Sequence, residues 1–364
     1  MNPLVRLRDF GQSPWYDFIT RELVHSGELA RLVREDGLRG MTSNPTIFEK
    51  AVAGSSSYDA DIRRLGEAGH EPAAIFEALA VADAQAACDV FRPVFDASGE
   101  GDGTVSLEVS PLLAQDADGT VREARRLWER VGRPNLMIKI PGTLACLPAI
   151  TTCLAEGISV NVTLLFSVER HRMVVEAWLA GLERRAAAGL PLAGVHSVAS
   201  FFVSRVDTLL DKRLDAAGHG ALRGRAAIAN ATLAYELFAE TLESSRWHAL
   251  AARGAAPQRP LWASTSTKDP AYPDTLYVDA LVAERTVNTL PPETFTAYRD
   301  HGDPGHRLDV PGARRALAAL AEAGIDLPAA TLELERDGVA KFEASFRSLL
   351  AGIEAKAGAL LGAG

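Results

Sequence analysis

The chain alternates short segments rich in β-branched residues with longer segments of good helix formers, almost from one end to the other. This order predicts parallel strands joined by crossover helices. Eight segments are predicted to be strands, namely 13–17, 38–44, 104–110, 135–140, 158–166, 194–202, 260–267 and 285–290. Eight such repeats predict an α/β protein whose sheet closes into a (β/α)8 barrel, the TIM barrel.

Two stretches of the sequence exceed what eight strand and helix repeats need. Residues 46–97 are too long for one crossover and predict a helical insertion after the second strand. Residues 311–364 follow the turn-rich segment "HGDPGH" and predict closing helices at the C-terminus. The length of 364 residues is compatible with one barrel domain, 1–364, that carries both additions.

Composition argues against several function classes. A net charge of −9 gives no general basic surface, so we expect neither nucleic acid nor a membrane as partner. The N-terminus has no signal-peptide core and no segment has the apolar length of a membrane span, which predicts a cytoplasmic protein. Cys88, Cys146 and Cys153 show no paired or CxxC spacing and are predicted to be buried or inert thiols.

Polar residues on three predicted strands point into one shared interior. Helices cover the outer face of a barrel, so apolar residues at every second position mark the outside. In "TVSLEVS", "NLMIKI" and "ISVNVTLLF" the inward polar and charged residues are Ser106, Glu108, Ser110, Lys139, Ser159, Asn161 and Thr163. Most lie toward the C-terminal ends of their strands, which is where barrel enzymes have their active sites.

A buried lysine beside a carboxylate has two interpretations. Lys139 and Glu108 could form an ion pair that fixes strand register, with Asn161 and Thr163 satisfying interior backbone groups. Alternatively, burial disfavours the charged ammonium, and a fraction of Lys139 becomes a free amine that attacks a carbonyl. Glu108 and Thr163 would then supply the acid/base group and the hydroxyl needed to form a Schiff base. The recruitment of polar side chains from neighbouring strands favours this second interpretation.

Three residues near the last strands are weaker candidates. Lys268 follows the seventh strand, but the polar, turn-like "DPAYPD" after it predicts that solvent keeps its ammonium charged. Trp262 and Asn288 are predicted to face inward and could equally be barrel filling.

Five ordered motifs carry a resemblance to a known family. "GMTSNPTIFEKA", "VSLEVSP", "MIKIPGT", "SVNVTLLFS" and "SFFVSRVD" resemble the transaldolase family in its longer bacterial branch, across nearly the whole chain. The resemblance implies a class I, Schiff-base transfer of a dihydroxyacetone unit that needs no metal and no cofactor. The donor would be sedoheptulose 7-phosphate or fructose 6-phosphate, and the acceptor glyceraldehyde 3-phosphate or erythrose 4-phosphate, in the non-oxidative pentose phosphate pathway.

The resemblance also implies roles for four residues in the chemistry. Lys139 matches the Schiff-base lysine, Glu108 the glutamate that works with a water, and Thr163 the threonine that orients this water. Asp17 matches the aspartate that takes the C4 hydroxyl proton during cleavage and returns it to the acceptor. From the residues alone, Asp17 ahead of "FITREL" would be interpreted as a helix cap.

Substrate-binding residues are implied in the same way. Asn44 precedes Pro45 and a helical run, which predicts an N-cap, and the resemblance makes it, with Asn161, a ligand of the dihydroxyacetone hydroxyls. Ser200 and Arg205 stand where the sixth strand gives way to a helix, a place that suits a phosphate. Without the resemblance, we would expect a surface ion pair between Arg205 and either Asp207 or Asp211. The remaining candidates for substrate binding are Ser106 and Phe202.

Two rival functions stay open at this point. A fructose 6-phosphate aldolase of the same superfamily uses the same lysine but releases free dihydroxyacetone; it has glutamine in place of the glutamate and a tyrosine near the phosphate motif, whereas this chain has Glu108 and Phe202. A barrel that only binds sugar phosphates would use Lys139 to neutralise its ligand. No HxH, HExxH or strand-linked GxGxxG pattern occurs, so we expect no metal and no dinucleotide. The oligomeric state is predicted only as monomer or homodimer.

Overall fold

A computed structural model describes residues 2–362 as a barrel of eight parallel strands, closed in the order β1 to β8. The strands are β1 (Gln12–Asp17), β2 (Gly40–Thr42), β3 (Thr104–Glu108), β4 (Leu136–Pro141), β5 (Val160–Leu165), β6 (Ser197–Phe202), β7 (Gln258–Ala263) and β8 (Thr286–Leu290). Each overlaps one predicted segment, and β8 pairs with β1 to complete the ring. The predicted (β/α)8 barrel is therefore confirmed.

Sixteen α-helices surround this barrel within the described residues. They are α1 (Pro3–Arg6), α2 (Arg21–His25), α3 (Glu28–Glu35), α4 (Pro45–Gly54), α5 (Asp59–Glu67), α6 (Pro72–Ala97), α7 (Ala117–Val131), α8 (Leu147–Glu156), α9 (Val168–Ala187), α10 (Ser204–Ala216), α11 (Ala226–Leu242), α12 (Ser245–Ala251), α13 (Leu276–Ala280), α14 (Pro292–His301), α15 (Val310–Glu322) and α16 (Leu327–Gly362). Short 3₁₀ turns at Leu7–Phe10, Pro111–Leu113, Leu144–Cys146 and Gly220–Leu222 complete the connections.

Local sequence explains where several helices start. Asp116 Oδ1 accepts a hydrogen bond from the Gly119 N–H at 2.9 Å at the start of α7, and Ser167 Oγ accepts one from the Arg170 N–H at 3.0 Å at the start of α9. Side-chain oxygens at these positions satisfy amides that the first helical turn leaves unpaired. The helices then cover the outward apolar residues of the strands, of which Leu136 and Ile138 are completely buried.

The two predicted additions are helical and pack against each other. Helices α4, α5 and α6 lie in the region after β2, and α16 contacts α4 and α5 along much of its length. Thr46 Oγ1 donates to Ser345 Oγ at 2.8 Å, and the Lys356 ammonium lies 2.7 Å from Asp59 Oδ1. The C-terminal helix thereby ties the region after β2 to the carboxyl end of the barrel.

Two further features concern the chain as a whole. Within residues 2–362 no helix combines the length and hydropathy of a membrane span. The three cysteines are buried free thiols, as predicted, and burial raises the pKa of Cys88 and of Cys153 to about 12.

Candidate active site

A cavity of about 400 Å³ opens at the carboxyl end of the barrel. Side chains from the ends of different strands and from the helices that follow them form its wall. They include Asp17, Thr42, Asn44, Lys50, Lys139, Thr163, Ser200, Phe202, Arg205, Ser266, Lys268, Thr289, Glu293 and Phe342. This end of a (β/α)8 barrel is where characterised barrel enzymes bind their substrates.

Lys139 and Glu108 form a buried ion pair in the interior. The register of β3 and β4 makes them Cα partners, so both side chains project to the same side of the sheet. Lys139 Nζ lies 3.2 Å from Glu108 Oε2 and donates to the Ser43 carbonyl oxygen at 3.0 Å. The two side chains are only 6% and 5% exposed. Burial raises the pKa of Glu108, and the nearby Lys139 ammonium opposes this rise.

The Glu108 carboxylate and the nearby Thr163 hydroxyl form no hydrogen bond with any of residues 2–362. The contact between Lys139 and Glu108 lacks hydrogen-bond alignment, and both carboxylate oxygens and the Thr163 hydroxyl are buried without a hydrogen bond. Buried polar atoms are seldom left in this state for structural reasons alone. The interpretation that Thr163 merely satisfies interior backbone is therefore wrong. The Glu108 carboxylate and the Thr163 hydroxyl therefore keep hydrogen-bonding capacity that no described residue uses.

Asp17 ends β1 and also lines the cavity. Its Oδ1 accepts a hydrogen bond from Thr42 Oγ1 at 2.7 Å. Burial raises the pKa of Asp17, while Lys139 and Thr42 favour the charged form. The helix-cap interpretation is wrong, because α2 begins at Arg21 and is capped by Thr20.

Of the two candidate asparagines, Asn44 lines the cavity and Asn161 is buried behind its wall. Asn44 caps α4, where its Oδ1 accepts from the Ile47 N–H at 3.1 Å, and the same side chain borders the cavity. Asn161 is completely buried: its Nδ2 donates to Ser106 Oγ at 2.9 Å and its Oδ1 accepts from Ser200 Oγ at 2.6 Å. Ser106 lies behind Asn161 and supports it, whereas Ser200 reaches the cavity wall.

Arg205 contributes a positive charge to the cavity without an ion-pair partner in the described part of the chain. Its guanidinium lies 5.2 Å from the centre of the Phe202 ring. The predicted surface pairs are absent there, because Asp207 accepts from the Ala227 N–H at 2.8 Å and Asp211 accepts from the Gly224 N–H at 3.0 Å. The cation is thus available to an anionic ligand.

Lys268, which the sequence places behind Lys139 as a candidate for the reactive amine, also lies at the cavity. It borders the cavity, and its Nζ donates to Ser266 Oγ at 2.6 Å, with no carboxylate partner among residues 2–362. Its position after β7, next to the strand that leads to Arg205, was the available signal. Trp262 and Asn288 are buried and are not among the residues that line the cavity. The Trp262 indole N–H donates to the Leu281 carbonyl at 2.9 Å, and Asn288 Oδ1 accepts from Thr265 Oγ1 at 3.0 Å.

The fold and the site together define a class of protein. A lysine paired with a buried carboxylate at the carboxyl end of a (β/α)8 barrel, beside three cations without carboxylate partners among residues 2–362 (Lys50, Arg205 and Lys268), fits an enzyme that acts on phosphorylated carbonyl compounds through a Schiff base.

Comparison with known proteins agrees with this class. The family model "Transaldolase/Fructose-6-phosphate aldolase" matches residues 14–353. The chain is 52% identical over 360 residues to the transaldolase of Acidothermus cellulolyticus, across 97% of this chain and 96% of that protein. It is 51% identical over 368 residues to transaldolase 1 of Streptomyces avermitilis, across 99% and 96%. With transaldolase 2 of Nostoc sp. (strain PCC 7120) it shares 46% over 372 residues, across 98% of each chain. The chain belongs to the transaldolase/fructose-6-phosphate aldolase family, as its motifs predicted.

Proposed function

We propose that this protein is a transaldolase, in which Lys139 carries a dihydroxyacetone unit as a Schiff base between a ketose phosphate and an aldose phosphate. The observation that carries the proposal is the ion pair of Lys139 with Glu108 at a cavity whose wall also has three further cations, Lys50, Arg205 and Lys268. Relatives at about half identity over nearly the full chain that bear the name transaldolase support the same activity.

The first half of the reaction forms the Schiff base. Glu108 takes a proton from the Lys139 ammonium, and the free amine attacks the C2 carbonyl of the ketose phosphate. Glu108 then returns a proton to the carbinolamine hydroxyl, which leaves as water, and a protonated imine remains. A water held between Glu108 and the Thr163 hydroxyl relays these protons, which agrees with the lack of hydrogen bonds at both groups within residues 2–362.

The second half breaks and remakes a carbon–carbon bond. Asp17 takes the C4 hydroxyl proton, the C3–C4 bond breaks, and its electron pair moves into the protonated imine to give an enamine. The aldose phosphate leaves, and the enamine attacks the aldehyde of the acceptor, whose oxygen receives the proton back from Asp17. Water then hydrolyses the new protonated imine by reversal of the first half, which releases the product ketose phosphate and restores the Lys139 amine. Because burial raises the pKa of Asp17, its carboxylate is a stronger base than an exposed one.

Substrate binding follows from the charge distribution on the cavity wall. Arg205 and Lys268, supported by Ser200 and Ser266, are the groups that we assign to the substrate phosphate. Asn44, which also lines the cavity, is assigned to the hydroxyls of the dihydroxyacetone unit. The reactive carbonyl of the substrate would then lie at the Lys139 amine.

The proposal includes cellular context and assembly. Action in the cytoplasm, in the non-oxidative pentose phosphate pathway, as a monomer or homodimer, follows from the expectations for the family. The packing of α16 on α4 supports a single folding domain over 1–364, with the 46–97 and 311–364 additions as parts of it.

Product analysis distinguishes transfer from release. Fructose 6-phosphate is supplied with and without erythrose 4-phosphate, and sedoheptulose 7-phosphate and free dihydroxyacetone are both measured. We expect sedoheptulose 7-phosphate with the acceptor and only slow release of dihydroxyacetone without it. Rapid dihydroxyacetone release without acceptor would identify an aldolase-like lyase instead, and no turnover under either condition would favour a binding protein.

A further inference from the structure

Phe342, on the C-terminal helix α16, borders the active-site cavity although it lies far from Lys139 in the sequence. The centre of its ring lies 5.8 Å from Lys139 Nζ, and the residue is 5% exposed. The amine therefore has polar neighbours, Glu108 and the Ser43 carbonyl, and an aromatic ring that comes from outside the barrel.

A close fit between α16 and the end of β5 holds the helix in this position. Gly338 lies one helical turn before Phe342, and a Cβ atom there would lie 3.0 Å from Leu164 Cδ2 and 3.5 Å from the Phe166 ring. Leu164 itself has a φ of +61°, which is unusual for a bulky residue. The small residue on the helix and the irregular end of β5 let Phe342 approach the amine.

The other side of α16 is fixed by the helices that follow β2. Phe346 packs edge-on against Phe76 of α6, with ring centres 5.5 Å apart, and Ser345 accepts a hydrogen bond from Thr46 of α4. Because α4 follows directly on Ser43, one packed unit positions both the carbonyl that binds Lys139 and the ring above it.

We propose that Phe342 is a positioning residue for Schiff-base formation, whose ring keeps bulk solvent from the Lys139 amine so that a proton can pass between Lys139 and Glu108. The inference rests on the proposed function. A separation of 5.8 Å is close to the limit of about 6 Å for a cation–π contact, so exclusion of bulk solvent is the main effect of the ring. Bulk solvent in place of the ring would stabilise the ammonium and the carboxylate together and oppose the transfer of the proton.

Charged groups from several elements face the amine or border its cavity. They are Glu108 of β3, Asp17 of β1, Arg205 of α10, Lys268 after β7, Lys50 of α4 and Glu293 of α14. Within residues 2–362, α16 contributes Phe342 alone to the cavity wall. Replacement of Phe342 therefore changes water access without changing any of these charges.

The test measures the rate of borohydride-trapped adduct formation with saturating fructose 6-phosphate as a function of pH. For Phe342→Ala we expect a rate at pH 7 reduced by about tenfold or more, a loss that becomes smaller toward pH 9, and a KM changed by less than about threefold. The alkaline shift is expected because bulk hydroxide can remove the proton that Glu108 no longer accepts. If the wild type forms no adduct, the proposed function fails; if the wild type forms it and Phe342→Ala has the same rate and pH profile, this inference alone fails.

Phe346→Ala is the matched control. Phe346 is on the same helix one turn further, is 6% exposed, and does not border the cavity. We expect it to lower the thermal midpoint about as much as Phe342→Ala and to leave the pH profile unchanged. An equal alkaline shift of the pH profile in both variants would mean that Phe342 acts only through packing of α16, and it would overturn the inference. Phe342→Leu, which keeps an apolar cover, should retain most of the rate and serves if the alanine variant does not fold.

Discussion

Two charged clusters occupy opposite ends of the barrel and differ in how well their hydrogen bonds are satisfied. At the amino end, the Arg259 guanidinium donates to Asp102 Oδ1 at 3.0 Å, to the Gly101 carbonyl at 2.8 Å, to Ser13 Oγ at 2.6 Å and to the Thr286 carbonyl at 2.8 Å. At the carboxyl end, the ion pair of Lys139 and Glu108 is more deeply buried and its carboxylate has no aligned hydrogen bond from residues 2–362.

The difference separates stabilisation from chemistry. The cluster around Arg259 joins the first residues of β1, β7 and β8 to the segment before β3, and its hydrogen bonds offset the cost of partial burial. Burial of Lys139 and Glu108 also costs desolvation energy, and fewer hydrogen bonds offset it. The pair therefore lowers the stability of the fold while its polar groups stay available to a substrate. Mutations at the two ends should accordingly affect different quantities.

Replacement of the nucleophile gives the largest expected effect on activity. Lys139→Met should reduce turnover to background and abolish borohydride trapping, because methionine has no amine. The fold should persist with lower stability, since methionine fills a similar volume and the buried Glu108 carboxyl, left without its cation, can take up a proton. A coupled assay and circular dichroism measure the two properties. A variant that is unfolded would mean that Lys139 is structural.

Replacement of the carboxylate separates proton transfer from binding. Glu108→Gln should slow Schiff-base formation by about 10²- to 10⁴-fold, the usual contribution of a general acid or base. The affinity for inorganic phosphate, measured as its inhibition constant against the sugar-phosphate substrate, should change far less, because Arg205 and Lys268 remain in place. Stopped-flow trapping and inhibition constants provide the comparison; equal losses in both would assign Glu108 a different role.

The amino-end cluster should show the opposite behaviour. Arg259→Met removes four hydrogen bonds and leaves Asp102 partly buried, so we expect a loss of about 1–3 kcal/mol in the free energy of unfolding, because both side chains keep some solvent access. Activity per folded molecule should not change. Arg347→Met, which removes an exposed pair with Glu343, is the control and should stay within about 0.5 kcal/mol. Urea unfolding gives the free energies, and a fall in kcat for Arg259→Met would contradict the separation.

The smallest effect concerns the pH dependence of stability at the carboxyl end. Because burial raises the pKa of Asp17 above its ordinary value of 3.8, the folded state holds the proton more tightly than the unfolded state. Stability from this group is therefore lost as pH rises from 3.8 through the raised pKa. Asp17→Asn cannot ionise, so its stability relative to the wild type should increase over that range. Thermal melts at a series of pH values test this, and a constant difference would contradict it.

Local sequence was sufficient to predict the eight strands and most of the polar residues that face the barrel interior. Alternation predicted the shared interior face of Glu108, Lys139 and Asn161 because strand periodicity and a covered outer face act together. Boundaries were less accurate: β3 ends at Glu108, and Ser110 beyond it caps a 3₁₀ turn instead of facing the interior.

The rest of the site depends on long-range packing. Lys268 lies beyond the end of β7, and the loop that carries it is held by a hydrogen bond from Tyr272 to Asp211 of α10, which no local pattern indicates. Phe342 reaches Lys139 because α16 crosses the region after β2. The motifs supplied what alternation lacked, since Asp17 and Arg205 were assigned to the site only through the family resemblance.

Mass spectrometry after borohydride reduction tests the central claim most directly. The protein is incubated with fructose 6-phosphate, reduced, digested and mapped. The account predicts one reduced dihydroxyacetone adduct, on the peptide that contains Lys139, and none on the peptide that contains Lys268. Sustained transfer activity with no adduct, or with an adduct on another lysine, would contradict it.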